Sequence, residues 1–247
     1  MRNKYLYRLC EFYINAVDND HDSDFYTNGE AAFARASLPK CSVAFDLGAA
    51  VGDWTAIALQ ANPRVIIHCF EPSSRRFRVL ASRNFGKGPK QVILNNLAMG
   101  EKEGQNSIFY GASGGSVSLF PQRYGGESYN PADVETVSIS TIDQYCRQRG
   151  IEQIDFIKMD IEGYEMAAIR GAEHMLKESR IATIQFEYSY VFLDAGTSLK
   201  TLMEYVRDVN PRYDFHKIYP DGTHFVPQYE HRLDNFKTSN WAIIKRD

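Results

Sequence analysis

Long apolar runs are missing from this chain of 247 residues: no window reaches 18 consecutive apolar positions, so no segment is long enough to cross a bilayer as a helix. The opening Met1-Arg2-Asn3-Lys4-Tyr5-Leu6 is basic, but no apolar segment of a secretory signal follows it. Cysteine is scarce. Cys10, Cys41, Cys69 and Cys146 form no CxxC pair, which removes support for a zinc ribbon or a thioredoxin-type redox site. Two of the four lie in or beside apolar runs, where cysteine behaves as a small buried hydrophobe, and reduced thiols in a cytosolic (cytoplasmic) protein are expected. The six histidines show no HxxxH or HxE pairing, so no metal site is expected. Charge of one sign is also lacking: 28 Lys and Arg against 31 Asp and Glu leave −3, too little to favour nucleic acid or an anionic membrane. There is no internal repeat and no low-complexity segment. Hydrophobic residues at 44% and charged residues at 24% match an ordinary globular protein.

What is present is an alternation of short apolar runs and amphipathic segments. Residues 4–17 put Tyr5, Leu9, Phe12, Tyr13 and Ala16 at helical spacing. The acidic stretch 18–30 reads as a loop. Strands are expected at 42–46, 65–70, 92–94, 154–160, 181–187, 213–219 and 241–245. Helices are expected at 52–61, stopped by Pro63; after a cap at Ser73 or Ser74; over 163–178; and over 197–209, ended by Pro211. Thr141-Ile142-Asp143-Gln144 is a capping box that opens a short helix, and Gly150 closes it. Residues 107–110 and 136–139 alternate and suggest a hairpin around a long excursion. That excursion, residues 111–131 with Gly114-Gly115-Ser116, Tyr124 and Tyr129, is read as a lid or wall over an acceptor. The whole specifies a doubly wound, mostly parallel, seven-stranded Rossmann-like α/β sheet with helices on both faces over residues 39–247. A helical extension over residues 1–38 precedes it.

In such a sheet the ligand lies over the carboxyl ends of the strands. Asp46, Glu71, Asn95-Asn96, Asp160 and Glu187 stand there, and acids are costly in a buried sheet unless they face a ligand or water. The first turn, Asp46-Leu47-Gly48-Ala49-Ala50-Val51-Gly52, departs from GxGxxG, and its acid repels a pyrophosphate. A cationic ligand without phosphate suits it better. Glu71, 19 residues past Gly52, stands where a carboxylate accepts both hydrogen bonds of a ribose diol. A plain strand-to-helix turn also carries glycines; the acid and Glu71 set this one apart.

Together these features resemble the S-adenosylmethionine site of Rossmann-like methyltransferases. The resemblance implies that Asp46 holds the methionyl ammonium, directly or through water, and that the turn at Gly48, Ala49 and Gly52 lines the methionyl chain. Glu71, with Pro72 after it, would grip the ribose, and residues 96–98, with Asn96 and Ala98, would border the adenine. A narrower resemblance follows from Ile154-Asp155-Phe156-Ile157-Lys158-Met159-Asp160-Ile161-Glu162-Gly163-Tyr164-Glu165 and the later Gly171-Ala172. This stretch resembles the FkbM family of methyltransferases, whose fourth strand reads roughly I-D-F-x-K-x-D-x-E-G-x-E with G-A eight residues past its glycine. Val137-Ser138-Ile139-Ser140-Thr141-Ile142-Asp143, Phe70-Glu71-Pro72 and Asn240-Trp241 extend it. The one departure, Ala50 in place of a common glycine, is tolerable if its φ stays negative.

The resemblance implies a class I methyltransferase fold and O-methylation of a hydroxyl on a sugar or secondary metabolite. The partner would be a small-molecule or glycan acceptor, with no nucleic acid or membrane partner; a homodimer is left open. Asp160 is the first choice for the base or acceptor-orienting acid, with Glu162 in the turn beside it and Glu187 at the next strand end for sugar hydroxyls. Glu165 is expected to serve the N-terminus of the following helix. Lys158 must reach an acid such as Glu187 or snorkel to the rim. Asp160, Glu162 and Glu187 are not by themselves a metal signature. His68 reads as a satisfied core residue, His224 as an edge of the acceptor pocket, and Arg75, Arg76 and Arg78 as a solvated helix face. Two other readings remain: a nicotinamide-dependent oxidoreductase, which lacks both GxGxxG and a Tyr-x-x-x-Lys pair (Arg149 follows Tyr145), and a non-catalytic scaffold.

Overall fold

Strand-forming apolar runs alternating with helices build a layered α/β molecule. The computed structural model describes residues 3–86, 90–111, 117–121 and 129–246. The chain begins with α1 (Lys4–Asp18) and α2 (Glu30–Ser37) and enters the sheet at β1 (Val43–Leu47). It continues through α3 (Asp53–Ala61), β2 (Ile66–Phe70), α4 (Ser74–Ser82) and β3 (Val92–Asn95). A smaller sheet follows, made of β4 (Ala98–Met99), β5 (Gly104–Gly111), β6 (Val117–Ser118) and β7 (Tyr129–Ser140). Then come α5 (Ile142–Arg149), β8 (Ile154–Met159), α6 (Glu165–Arg170), α7 (Glu173–Lys177) and β9 (Ile181–Tyr188). The chain ends with α8 (Val191–Asp194), α9 (Leu199–Val209), β10 (Tyr213–Tyr219), β11 (Gly222–Val226) and β12 (Ser239–Lys245).

The main sheet has the order β11-β10-β12-β9-β8-β1-β2-β3 among the described residues. Strands β3, β2, β1, β8 and β9 run parallel, and β12 enters antiparallel between β9 and β10. The seven expected strands all form. An eighth, β11, adds to the edge because Asp221-Gly222 turns the chain back on β10, with Gly222 at φ +143°. One face of the sheet aligns Phe45, Ile157, Ile184, Ile243 and Phe215 in register against α5, α6, α7 and α9. The other aligns Ala44, Ile67, Val92 and Phe156 against α2, α3 and α4. Chain order reverses between β1 and β8, and the crevice of a doubly wound sheet opens there.

The caps behave as their residue types require. Ser73, rather than Ser74, accepts the Arg76 N–H, Thr141 accepts that of Gln144 and Ser198 that of Thr201, while Gly150 ends α5 in the left-handed region. The expected hairpin forms as β5 against β7. Within the expected lid, residues 112–116 and 122–128, with Tyr124 and Gly114-Gly115-Ser116, lie outside the described residues. Cys69 and Cys146 are buried and the cysteines are free thiols.

Two helical readings change. Inside the expected extension, residues 30–37 form α2, whose Ala31 and Ala34 are buried and whose Phe33 packs on Phe156 of β8. The single helix expected over 163–178 breaks into α6 and α7 at Gly171-Ala172. There the Gly171 carbonyl accepts the Asp143 N–H instead of continuing the helix, and the backbone of Gly100 presses so close that no Cβ fits on Gly171. Gly171→Ala should therefore destabilise the fold by about 1–3 kcal/mol, because a backbone carbonyl cannot rotate away as a side chain can. Urea denaturation with an unchanged slope and a lowered midpoint would bear this out; an unshifted midpoint would contradict the close approach.

Candidate active site

At the switch point the carboxyl ends of β1 and β8 come together so tightly that the turn after β1 needs glycine. Gly48 has φ +78°, and a Cβ there would collide with the Asp160 carbonyl. The Asp160 N–H donates to the Leu47 carbonyl at 3.1 Å, so Asp160 is delivered beside the turn by backbone pairing. A cavity of about 370 Å³ opens above this point. Its floor is Leu47, Gly48 and Phe70, and Glu71, Asp160 and Glu162 ring it. Ile108, Val117 and Leu119 of the smaller sheet form the opposite wall.

Glu71 is the organising side chain. It is only 2% exposed. Its Oε2 accepts the Ala50 N–H at 2.9 Å and its Oε1 accepts that of Ser73 at 2.8 Å, joining the turns after β1 and β2. Each oxygen keeps a lone pair for a further donor. Burial raises the Glu71 pKa, against the Ser73 N–H, the Arg76 charge and the Ala50 N–H, which lower it. Asn96 supports the same loop from β3, donating to the carbonyls of Glu71 at 2.8 Å and Pro72 at 3.0 Å. A second web ties the loop to the wall. Ser73 Oγ bonds Tyr110 at 2.8 Å, Tyr110 donates to Glu135, and Glu135 accepts the Ser74 N–H at 3.0 Å.

The acids beyond β8 and β9 surround one buried cation. Lys158, 6% exposed, reaches Oδ2 of Asp160 at 3.1 Å rather than Glu187. Burial would lower its pKa, but Asp160, Asp46 and Glu30 together outweigh that and hold it above the usual lysine value. Glu187 is half-buried and its pKa is raised well above the carboxylate range, first by desolvation and then by Asp160, Glu162, Glu30 and Glu165. Glu165, the first residue of α6, accepts the Ile161 N–H at 3.0 Å, while burial pushes its pKa up to about 8.

Of the residues expected to bind a cofactor, Gly48, Glu71, Pro72 and Ala98 line the cavity, as do Asp160 and Glu162 of the expected catalytic acids. Asp46 lies behind this lining, fully buried, with one oxygen on the Thr55 hydroxyl at 2.6 Å and Oδ1 without a partner among the described residues. The N–H groups of Gly48 and Ala49 are already given to the Phe70 carbonyl, and Gly52 packs against Leu80 and Phe85. Asn96 acts on the loop backbone, and Glu187 sits one strand further along.

Arg76, read as part of a solvated face, lines the cavity instead, and Arg75 pairs with Asp133 over the Tyr110 ring. His224 stacks on Tyr219 at the far edge strand and does not line this cavity. His68 is satisfied by the Tyr145 hydroxyl at 2.8 Å, and burial lowers its pKa to about 4. Tyr145 is thereby occupied in the core. Asn240 was not singled out by chemistry: it is the register partner of Glu187, 1% exposed, and neither amide atom has a partner among the described residues. Its signals in the sequence are the family-like Asn240-Trp241 pair and its place at the head of a buried strand. Among the described residues no three or more His, Cys, Asp or Glu side chains gather to hold a metal ion.

Two rim residues are strained. Ala50 has φ +47° and Glu162 φ +54°, so the condition that would have made alanine neutral at position 50 does not hold. Replacing Ala50 by glycine should relieve about 1–2 kcal/mol of left-handed strain, less about 0.5–1 kcal/mol of added unfolded-state entropy. A small rise in melting temperature checks this; a fall contradicts the assigned φ. The raised acids also set a pH dependence. Between the ordinary value of 4.5 and its folded value of about 8, Glu165 keeps a proton that the unfolded chain has lost, so stability falls as pH rises through that window. Glu187 acts with the same sign. In urea melts across this range, Glu165→Gln should match wild type at the acid end and exceed it at the alkaline end.

The chain matches the methyltransferase FkbM domain over residues 46–216. It is 27% identical over 196 residues to the 2-O-methyltransferase NoeI of Sinorhizobium fredii, with 73% of this chain and 75% of that protein covered. Among solved structures it is similar to an O-methyltransferase from Bacillus cereus in complex with SAH (12% identity, 99% of this chain, 92% of that chain, TM-score 0.46). It is also similar to a precorrin-6y C5,15-methyltransferase from Geobacter metallireducens (12% identity, 92% of this chain, 96% of that chain, TM-score 0.46). The family match begins at Asp46 and runs through Glu71, the Lys158–Asp160 pair and Glu187, and the chain belongs to the FkbM methyltransferase family.

Proposed function

We propose that this protein transfers a methyl group from S-adenosylmethionine to a hydroxyl of a sugar or secondary metabolite. The observation that carries this reading is the charge of the cavity. Among the described residues, Glu71, Asp160 and Glu162 face it against the guanidinium of Arg76. That balance suits a cationic ligand with a ribose diol and opposes a pyrophosphate. A nicotinamide dinucleotide is disfavoured on the same ground.

S-adenosylmethionine supplies the methyl group on a sulfonium, an electrophile that needs no acid to activate it. Glu71 accepts the ribose hydroxyls through the lone pairs its backbone donors leave open. Asp46, buried behind the lining, would meet the methionyl ammonium through a bridging water at its unpartnered Oδ1 rather than directly, and Ala98 would border the adenine. On the acceptor side, Lys158 fixes one oxygen of Asp160, and Asp160 orients the hydroxyl and takes its proton. Glu162 and Glu187 bind neighbouring hydroxyls, and the buried amide of Asn240 beside Glu187 offers them a donor and an acceptor. Positioning is the larger contribution: in-line alignment supplies roughly 7–11 kcal/mol, against about 3–5 kcal/mol from a base worth 10²- to 10⁴-fold. The apolar wall of Ile108, Val117 and Leu119 excludes water from the reacting groups.

Calorimetric titration with S-adenosylhomocysteine, with NAD as control, tests the cofactor. Micromolar binding of the first and none of the second is expected; NAD binding would make this an oxidoreductase, and binding of neither would leave a scaffold. Glu71→Ala should weaken S-adenosylhomocysteine at least tenfold, about 1.4 kcal/mol, and an unchanged affinity removes Glu71 from the ribose role. Asp160→Asn should leave that affinity intact while lowering methyl transfer to a screened hydroxyl acceptor by about 10²-fold or more. Full turnover in that variant would move the base elsewhere.

A further inference from the structure

The first helix leaves its apolar face uncovered. No residue of α1 is buried, and Leu6, Tyr13 and Val17 are 56%, 69% and 57% exposed. Its base, however, is held firmly. Asn15 accepts from Lys237 Nζ at 2.6 Å, and Asn19, in the left-handed region, donates to the carbonyls of Asn28 at 2.8 Å and Ile218 at 3.2 Å. Buried Asp20 takes Lys217 at 2.7 Å and Asn235 at 2.8 Å. The chain thus fixes the root of a helix whose length touches little of its own body. A helix of about 15 residues is marginal alone in water, and one rich in Tyr, Phe, Ile and Val more so.

We infer that α1 pairs antiparallel with α1 of a second copy of this chain. Leu6, Cys10, Tyr13 and Val17 are spaced four, three and four apart, the seam of a two-helix contact, with Leu9 and Ile14 on its flanks. An antiparallel pair sets Leu6 against Val17 and Cys10 against Tyr13. Pairing would cover Leu6, Tyr13 and Val17 together with Leu9 and Ile14, each more than half exposed, and a stable interface of this kind buries about 1,200 Å² or more in all. Charge gives the direction. Lys4 in the first turn and Asp18 in the last both oppose the dipole of their own helix, since α1 has no acid in its first turn and no base in its last. In an antiparallel pair each stands beside the opposite end of the partner helix, where its sign is favourable. A lipid surface fits less well. The polar face balances Lys4 and Arg8 with Glu11 and Asp18, and Asp20, Asp22 and Asp24 follow, whereas a membrane-bound helix carries a cationic face.

The full chain at micromolar concentration, by sedimentation equilibrium, should have the mass of two chains. Leu6→Glu combined with Tyr13→Glu should reduce it to one while keeping a cooperative melt, because neither side chain belongs to the core. Independently, Tyr13→Cys should let the introduced thiol form a disulfide with Cys10 of the second copy under mild oxidation, giving a two-chain band without reductant. A wild-type mass of one chain overturns the inference, whether or not the protein then sediments with phosphatidylcholine–phosphatidylglycerol vesicles. So does a two-chain mass that survives the double substitution, which would put the interface elsewhere. Absence of the cross-link in the Tyr13→Cys protein overturns the antiparallel arrangement.

Discussion

Glu71 is a carboxylate buried at the end of a strand, and the shape of the site depends on its two backbone hydrogen bonds. One runs to Ala50 in the turn after β1 and the other to Ser73 at the cap of α4. A buried charge without such donors costs several kcal/mol. With them, the carboxylate becomes the strut that holds two turns at a set distance. Asn96 braces the same loop from β3, and the Ser73–Tyr110–Glu135 chain ties it to the smaller sheet. The cavity therefore has a wall that is hydrogen-bonded to its floor. The strained φ of Ala50 is part of the same construction, since that residue must turn its N–H toward Glu71.

Across the switch point the electrostatics are those of several acids sharing one lysine. Lys158 is kept charged by Asp160, Asp46 and Glu30, while burial first and then the repulsion of the neighbouring acids raise Glu187 well above the usual carboxylate value and Glu165 to about 8. An enzyme that brings a sulfonium and a hydroxyl together benefits from such surroundings, because the negative field favours the cation and a protonated acid can still donate to an acceptor. The same arrangement lowers stability as the pH rises. On the proposed reading, function and stability pull on the same carboxylates in opposite directions.

The strands and caps were legible because each rests on local chemistry. Apolar runs of five or six residues ended by acids became strands, and Ser73 and Thr141 opened helices, and Gly150 closed one, at the expected places. What was misread depended on distant neighbours. Helix α2 escaped notice just after the acidic stretch because Phe33 is its one large apolar residue, and Ala31, Phe33 and Ala34 gain meaning when the sheet with Phe156 lies beneath them. The helix over 163–178 broke because Gly100, about 70 residues earlier, approaches Gly171 too closely for an ordinary turn. Arg76 looked like its solvated neighbours until the fold turned it into the cavity. His224, beside a turn in the sequence, stands on the edge strand β11 rather than in this cavity.

By itself the sequence determined the alternation of strand and helix, the acids at the strand ends and the family motif from Ile154 to Glu165, since all are set by neighbours within a dozen positions. Tertiary structure alone decided which acids share a cation, which of them line the cavity, that Asn240 stands buried beside Glu187, and that α1 leaves its apolar side uncovered. Those outcomes turn on burial and on which strands lie side by side. Burial sets the cost of each charge, strand order sets its neighbours, and neither quantity is local in the chain.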